Sequence, residues 1–184
     1  MLGLGFSSGL PLALTGSTLQ AWLATEHVDL RLIGIFALVG LPYTVKVLWA
    51  PVLDRFHVGW LGRRRGWILI TQCLLAAAIL ALGSCSPATM PWLVGWLALL
   101  VAFMSASQDI VVDAYRADVL KENELGAGAA TTVVGYRLAL LVSGAAALIA
   151  SDYLSWRSVY GALAAIMLGC SLFTFLAPEP AEQA

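Results

Sequence analysis

Six stretches of about 20 apolar residues follow one another through this chain, each long enough to cross the roughly 30 Å hydrocarbon core of a bilayer as a helix. They lie near Leu2 to Ala24, Leu32 to Leu53, Trp67 to Ser84, Trp92 to Val112, Ala127 to Ala150 and Val159 to Ala177. The runs are continuous, whereas a membrane β-barrel would alternate apolar and polar residues along each strand. The fold class expected is therefore an all-α membrane protein, a six-transmembrane-helix bundle.

Composition agrees, since 60% of the 184 residues are hydrophobic and only 11% are charged, against about one quarter charged in soluble domains. A soluble core of this size has no room for so much apolar surface. The net charge of −1 gives no electrostatic reason to expect nucleic acid as a partner. Cys73, Cys85 and Cys170 show no C-x-x-C spacing and read as packing residues. His27 and His57 fall in or near loops without paired metal-ligand spacing, and neither is expected to be catalytic. With no nucleophile–base pair or metal motif inside the runs, the chain is not expected to be an enzyme, and no cofactor is implied.

Lys and Arg in the loops set the orientation. Arg55, Arg63, Arg64, Arg65, Arg116 and Lys121 lie on one side, and only Arg31 and Arg157 on the other, so both termini are expected in the cytoplasm. Trp92 and Trp156, at the outer starts of runs, fit an interfacial aromatic belt. The first run is interrupted by Gly3, Gly5, Gly9, Pro11 and Gly16, which allow close helix approach and a kink.

Ionisable residues inside membrane spans are costly and normally face a bundle interior or a wet cavity. Lys46, Asp109 and Arg137 are such residues, with Asp54 and Asp113 nearer the cytoplasmic ends. The third and sixth runs have none, which predicts that they are outer, lipid-facing helices. Reflecting the fourth and fifth runs about residue 122 places Asp109 opposite about residue 135, within a turn of Arg137. Lys46 lies about 12 Å inside the cytoplasmic end, at a similar depth. One acid and two bases in a layer predict an anionic cargo site with a titratable partner, and a silent Asp109–Arg137 ion pair is the structural alternative. Ser105, Asp109, Asp113 and Arg116 form one stripe of the fourth helix, with Gln108 beside it. Asp113, Arg116 and Asp118 read as a hydrated helix end.

The cytoplasmic stretch LDRFHVGWLGRRRG resembles the loop between the second and third helices of major facilitator transporters, with a longer spacer and Ala50 in place of the first glycine. GFSSGLPLALTGSTLQAWL, LVGLPYTVKVLWAPVLDRF, SASQDIVVDAYRADVL and GAGAATTVVGYRLALLVSG resemble, in order and through nearly the whole chain, the AmpG-type muropeptide permeases. That resemblance implies a proton-driven importer of anhydromuropeptides in the bacterial inner membrane. Its cargo is N-acetylglucosamine joined to anhydro-N-acetylmuramic acid, with or without peptide, returned for cell-wall recycling and linked in some species to β-lactamase induction. Related acetyl-CoA carriers share a Q-D-I-x-x-D-like fourth helix, so an acetyl-CoA-like or sugar cargo stays open, as does a non-transporting assembly subunit.

Carried onto this chain, the resemblance implies alternating access of one bundle against another. Asp109 is then the proton-sensitive acid, Lys46 or Arg137 attracts a cargo carboxylate, and Gln108, Tyr136 and Gln20 offer hydrogen bonds. Asp54, Arg55, Gly62 and Arg63, with Asp113 and Arg116, form the inward latch. Residues 1–177 are expected to be an N-terminal bundle with a 3+3 inverted repeat, about 1–85 and 92–177, and 178–184 a tail or linker start. The expectation is a fragment or split gene, completed by a C-terminal six-helix bundle or by a second copy.

Overall fold

The computed structural model describes residues 1–55 and 62–178, apart from the side chains of Asp54 and Arg63. All regular structure among the described residues is helical. The first apolar run forms two short helices, α1 (Leu2–Thr15) and α2 (Ser17–Thr25). Pro11 sits within α1, and the break falls at Gly16, whose N–H donates to both Leu12 O and Ala13 O. Near the break, Tyr160 Oη donates to Leu14 O at 3.3 Å. The second run is also discontinuous: α3 (Leu30–Phe36), a 3₁₀ turn (Ala37–Gly40), α4 (Leu41–Val45), a second 3₁₀ turn (Lys46–Leu48) and α5 (Ala50–Arg55). Pro42 and Pro51 each remove a backbone donor, and the tighter turns lie just before them.

The remaining runs are longer. They are α6 (Arg63–Gly83), α7 (Pro91–Val119), α8 (Leu125–Leu140) continuing through a π-helical turn (Leu141–Ala146) into α9 (Ala147–Ser151), and α10 (Trp156–Leu176). Among the described residues, five helical segments are long and apolar enough to cross a membrane: Leu30–Leu48, Arg64–Gly83, Pro91–Val119, Leu125–Ser151 and Trp156–Leu176. The first run falls short of that measure because Gly16 divides it. At about 1.5 Å per residue, the 29 residues of α7 exceed the bilayer core, so its last turns, with Asp113, Arg116 and Asp118, extend beyond it.

Glycine decides how α1 meets α8. A Cβ on Gly5 would lie 2.1 Å from Thr132 O, and one on Gly135 would lie 2.2 Å from Leu2 O. The two backbones therefore touch directly, as small residues permit where lipid supplies no hydrophobic force between helices. Thr18 Oγ1 ties the segment after the break to the π-helical turn, donating to Ser143 O at 2.6 Å. On the other side of the bundle, α6 packs between α7 and α10 around Leu75, Ile79, Ala98 and Met167.

The third and sixth runs, expected from their lack of charge to be outer helices, form α6 and α10, which pack on one another. α6 is the most buried of the five segments, with 56% of its apolar window inside the bundle, whereas Leu30–Leu48 has 17% and Leu125–Ser151 has 22%. The least buried segments are the ones that carry Lys46 and Arg137. Trp92 is exposed, but Trp156 is more than a belt residue: it stacks on Trp22 at 5.9 Å and donates from Nε1 to Thr25 Oγ1 at 3.1 Å.

A second apolar cluster gathers Leu4, Ile68, Val111, Val112 and Tyr115, with Met1, Leu53 and Ala177 packed against it. Met1, the end of the second run, the start of α6, the end of α7 and the end of α10 thus lie at one end of the bundle. The basic loops flank that same end.

Candidate functional site

Asp109 projects from α7 toward the start of the second 3₁₀ turn, where Lys46 Nζ stands 3.6 Å from its Oδ2. The Asp109 side chain is 12% exposed and that of Lys46 30%. Ser8 of α1, Tyr43 of α4 and Tyr136 of α8 surround the carboxylate, with Asp113 one turn along α7. Beyond Lys46, Trp49 anchors its segment to α7: Nε1 donates to Ser107 Oγ at 3.0 Å, and the ring lies 4.8 Å from that of Phe103.

Lys46 replaces Arg137 as the partner of Asp109. Among the described residues Arg137 makes no ion pair, and its side chain is exposed on α8. Reflecting the hairpin fixed depth but not direction round the helix. α8 turns the face of Gly128, Thr132 and Gly135 onto the bundle, and Arg137 lies about 200° round from Gly135. Tyr136, one position on from Gly135, is half-buried beside Gly9.

Gln108 is fully buried and faces elsewhere. One residue before Asp109, it points about 100° away into the bundle, where its Nε2 donates to Ser7 Oγ at 2.9 Å. Gln72 Nε2 donates to the same oxygen at 3.2 Å, and Thr174 Oγ1 donates to Gln72 Oε1 at 2.9 Å. This polar knot joins α1, α6, α7 and α10, so Gln108 is held in the interior rather than presented to a cavity. Sequence reasoning missed Ser7, Gln72 and Thr174 because it weighed ionisable residues only. Gln72, an amide inside the apolar third run, was the available signal.

Gln20 is exposed on α2 and lines a cavity of about 80 Å³ with Thr15 and Tyr43, away from Lys46. Of the buried polar atoms without a hydrogen-bond partner among the described residues, four lie on this part of the bundle: Ser8 Oγ, Tyr43 Oη, Ser105 Oγ and Asp109 Oδ1. They surround the ion pair, and such groups are costly to leave unbonded inside a protein. The arrangement holds a carboxylate against one ammonium group, with one carboxylate oxygen free to take a proton or a donor.

At the basic end, Asp113 and Arg116 form the expected i,i+3 pair at 3.1 Å, and Arg55 is exposed. The side chains of Asp54 and Arg63, and all of His57, lie outside the described residues. Gly62 has φ 88°, a conformation that side-chain-bearing residues rarely adopt, and immediately precedes α6. Asp118 is not simply a hydrated helix end. It accepts from Arg64 Nε at 2.8 Å, and Arg64 is only 9% exposed. Arg65 Nη2 donates to Phe175 O at 2.7 Å and Tyr115 Oη to Pro178 O at 2.6 Å, so the end of α10 is tied to α6 and α7.

Membrane-length apolar helices packed around a largely buried ion pair define the class as a multi-pass helical membrane protein. The family described as Acetyl-coenzyme A transporter 1 matches residues 1–92, half of the chain. The anhydromuropeptide permease of Escherichia coli (strain K12) is 52% identical over 183 residues, which is 99% of this chain and 37% of that protein. An uncharacterised Haemophilus influenzae protein is 42% identical over 177 residues, 96% of this chain and 42% of its own length. A Rickettsia conorii protein carrying the name AmpG 4 is 32% identical over 181 residues, covering 44% of its length.

The chain belongs to this transporter family, among its AmpG-type permeases. It spans about two fifths of the length of the curated relatives it matches. The acetyl-CoA carrier match ends before the Asp109 stripe, so it rests on the first three runs and not on the fourth-helix motif.

Proposed function

We propose that this chain is a six-helix bundle of a proton-coupled importer of anhydromuropeptides, working by alternating access in the bacterial inner membrane with both termini cytoplasmic. The observation that carries the reading is the Lys46–Asp109 pair inside the bundle of a chain 52% identical to an anhydromuropeptide permease. In this reading the broken first run supplies the sixth helix, and residues 1–85 and 92–177 are the two inverted halves. The basic loops beside both termini support the cytoplasmic assignment.

Protonation of Asp109 removes the partner of Lys46 and shifts the balance between inward- and outward-open states, while a cargo carboxylate competes for the same ammonium. Arg137 stands on the exposed side of α8 and Gln20 on that of α2, ready for cargo, while the half-buried Tyr136 lies between them and Asp109's side of the bundle. The exposed faces of Leu30–Leu48 and Leu125–Ser151 suit a second bundle of six helices, or a second copy of this one. Asp54, Arg55, Gly62, Arg63, Asp113 and Arg116 belong to the inward latch, to which Arg64 and Asp118 add a fixed support.

Labelled anhydromuropeptide uptake into liposomes containing the protein tests this. An inward proton gradient should raise uptake, and Asp109→Asn should remove that dependence; a variant with unchanged pH dependence would refute the coupling role. A second reading, acetyl-CoA as cargo, is favoured by the match over residues 1–92. Competition separates the two, since acetyl-CoA should displace the label only if it shares the site.

A further inference from the structure

The second apolar run is built in pieces joined at two weak points. Pro42 cannot donate to Leu38 O, and that carbonyl takes the N–H of Leu41 instead, in the tighter spacing of the 3₁₀ turn Ala37–Gly40. Pro51 likewise denies Val47 O its α-helical donor, and the second 3₁₀ turn, Lys46–Leu48, lies there. Helices bend where proline removes a backbone bond, and a 3₁₀ stretch within a longer helix commonly marks a hinge.

Little holds the arm between these points, Leu41–Leu48, to the rest of the bundle. The segment Leu30–Leu48 has 17% of its window buried, the smallest share of the five. Among the described residues, the arm's one ion pair is Lys46–Asp109, at 3.6 Å. Tyr43 Oη is buried beside Ser105 and Thr15 and makes no hydrogen bond among the described residues. Just past the arm, the Trp49 bond to Ser107 Oγ at 3.0 Å and its ring against Phe103 fix the run to α7. The first hinge has room to move, since a Cβ on Gly40 would meet nothing within 4 Å and the cavity of about 80 Å³ borders Phe36, Ala37, Gly40 and Tyr43. Lys46 lies about 8 Å along the helix from Leu41, so a further bend of about 20° there carries it about 3 Å, enough to part the pair.

We propose that Leu41–Leu48 is a gating arm, hinged at Gly40–Pro42 and anchored at Trp49, which the Lys46–Asp109 pair holds against α7 and which swings away when Asp109 takes a proton. The proton adds to a carboxylate oxygen and Lys46 keeps its charge, so only the attraction between the two is lost. Lys46, already 30% exposed, then moves toward the exposed side. The other titratable groups facing Asp109 are Tyr43 of the arm, Tyr136 of α8 and Asp113 of α7. The inference rests on the proton-coupled reading and adds to it the element that moves.

Pulsed electron paramagnetic resonance on the whole chain in lipid nanodiscs tests it. Nitroxides are attached through Val47→Cys on the arm and Leu172→Cys on α10, both exposed, with Cys73, Cys85 and Cys170 replaced by alanine. As pH falls, the population should pass from one label distance to another that differs by about 3 Å. Asp109→Asn should show the low-pH distance at every pH. A second pair, Leu74→Cys on α6 with Leu172→Cys, should not change, which reports an intact bundle. One unchanging distance in both the unaltered chain and Asp109→Asn overturns the arm, and leaves the coupling reading to stand or fall by the uptake assay. Equal movement of both label pairs also overturns it, because the whole bundle then loosens, and a pH shift that survives in Asp109→Asn overturns the assignment to that acid. Arm movement as expected, with uptake that ignores the proton gradient, supports the arm and overturns the coupling reading instead.

Discussion

Replacing Gly135 by alanine tests the contact on which the geometry of the site depends. The added Cβ would stand 2.2 Å from Leu2 O, 2.9 Å from Phe6 N and 3.1 Å from Leu2 C, all backbone atoms of α1 that no rotamer change can move. A carbon beside a carbonyl oxygen needs about 3.3 Å, so α1 and α8 must separate by about 1 Å. Overpacking of this kind costs about 1–3 kcal/mol, and the separation also loosens the contacts of Gly5 with Thr132 and Gly9 with Tyr136. Alanine recovers up to about 1 kcal/mol through its better helix propensity. The net loss expected is about 1–2 kcal/mol, a fall of roughly 2–8 °C in Tm for a chain of this length. Gly161→Ala on α10 is the matched control, because a Cβ there meets nothing within 4 Å and should raise Tm slightly. Thermal melts in detergent, followed by the fluorescence of the seven tryptophans, measure both. If Gly135→Ala melts as high as Gly161→Ala, α1 and α8 do not meet backbone to backbone, and the placement of Ser8 and Tyr136 around Asp109 fails with that contact.

Lys46→Met should destabilise the bundle by on the order of 3 kcal/mol by leaving a buried carboxylate unpaired, and Lys46→Met with Asp109→Asn should recover most of that loss in the same melts. If the charges only lock helices together, the double variant also keeps uptake; a cargo site loses it. Arg64→Ala should cost about 2 kcal/mol through loss of its bond to Asp118, whereas Arg116→Ala, from the hydrated pair with Asp113, should cost no more than about 0.5 kcal/mol; equal effects would contradict the burial difference between the two arginines.

The hydropathy pattern and the loop arginines were enough to read a helical membrane bundle with both basic loops at one end. Asp109 stood out in the sequence because an acid inside an apolar run has to be accommodated by something. Its partner was not legible. Depth along a helix comes from counting residues, but direction round the axis comes from which face the helix packs, and Gly128 and Gly135 face α8 onto the bundle so that Arg137 points away. Gln108 misled for the same reason: adjacent residues on a helix face different neighbours, and its neighbours are Ser7 and the α6 side of the bundle.

Taken alone, the amino-acid order determined the apolar, helical class of this protein, the gathering of its loop arginines toward one end and the acid at its centre. All of these are sums or counts over neighbouring residues, which a membrane reads locally. The tertiary structure decided that Lys46 pairs with Asp109, that Arg64 holds Asp118, that Gln72 and Gln108 share Ser7, and that the break at Gly16 opens a cavity beside Tyr43. Each of these joins residues far apart in the chain. Such pairs form only where small side chains let one backbone approach another, and that depends on several helices at once.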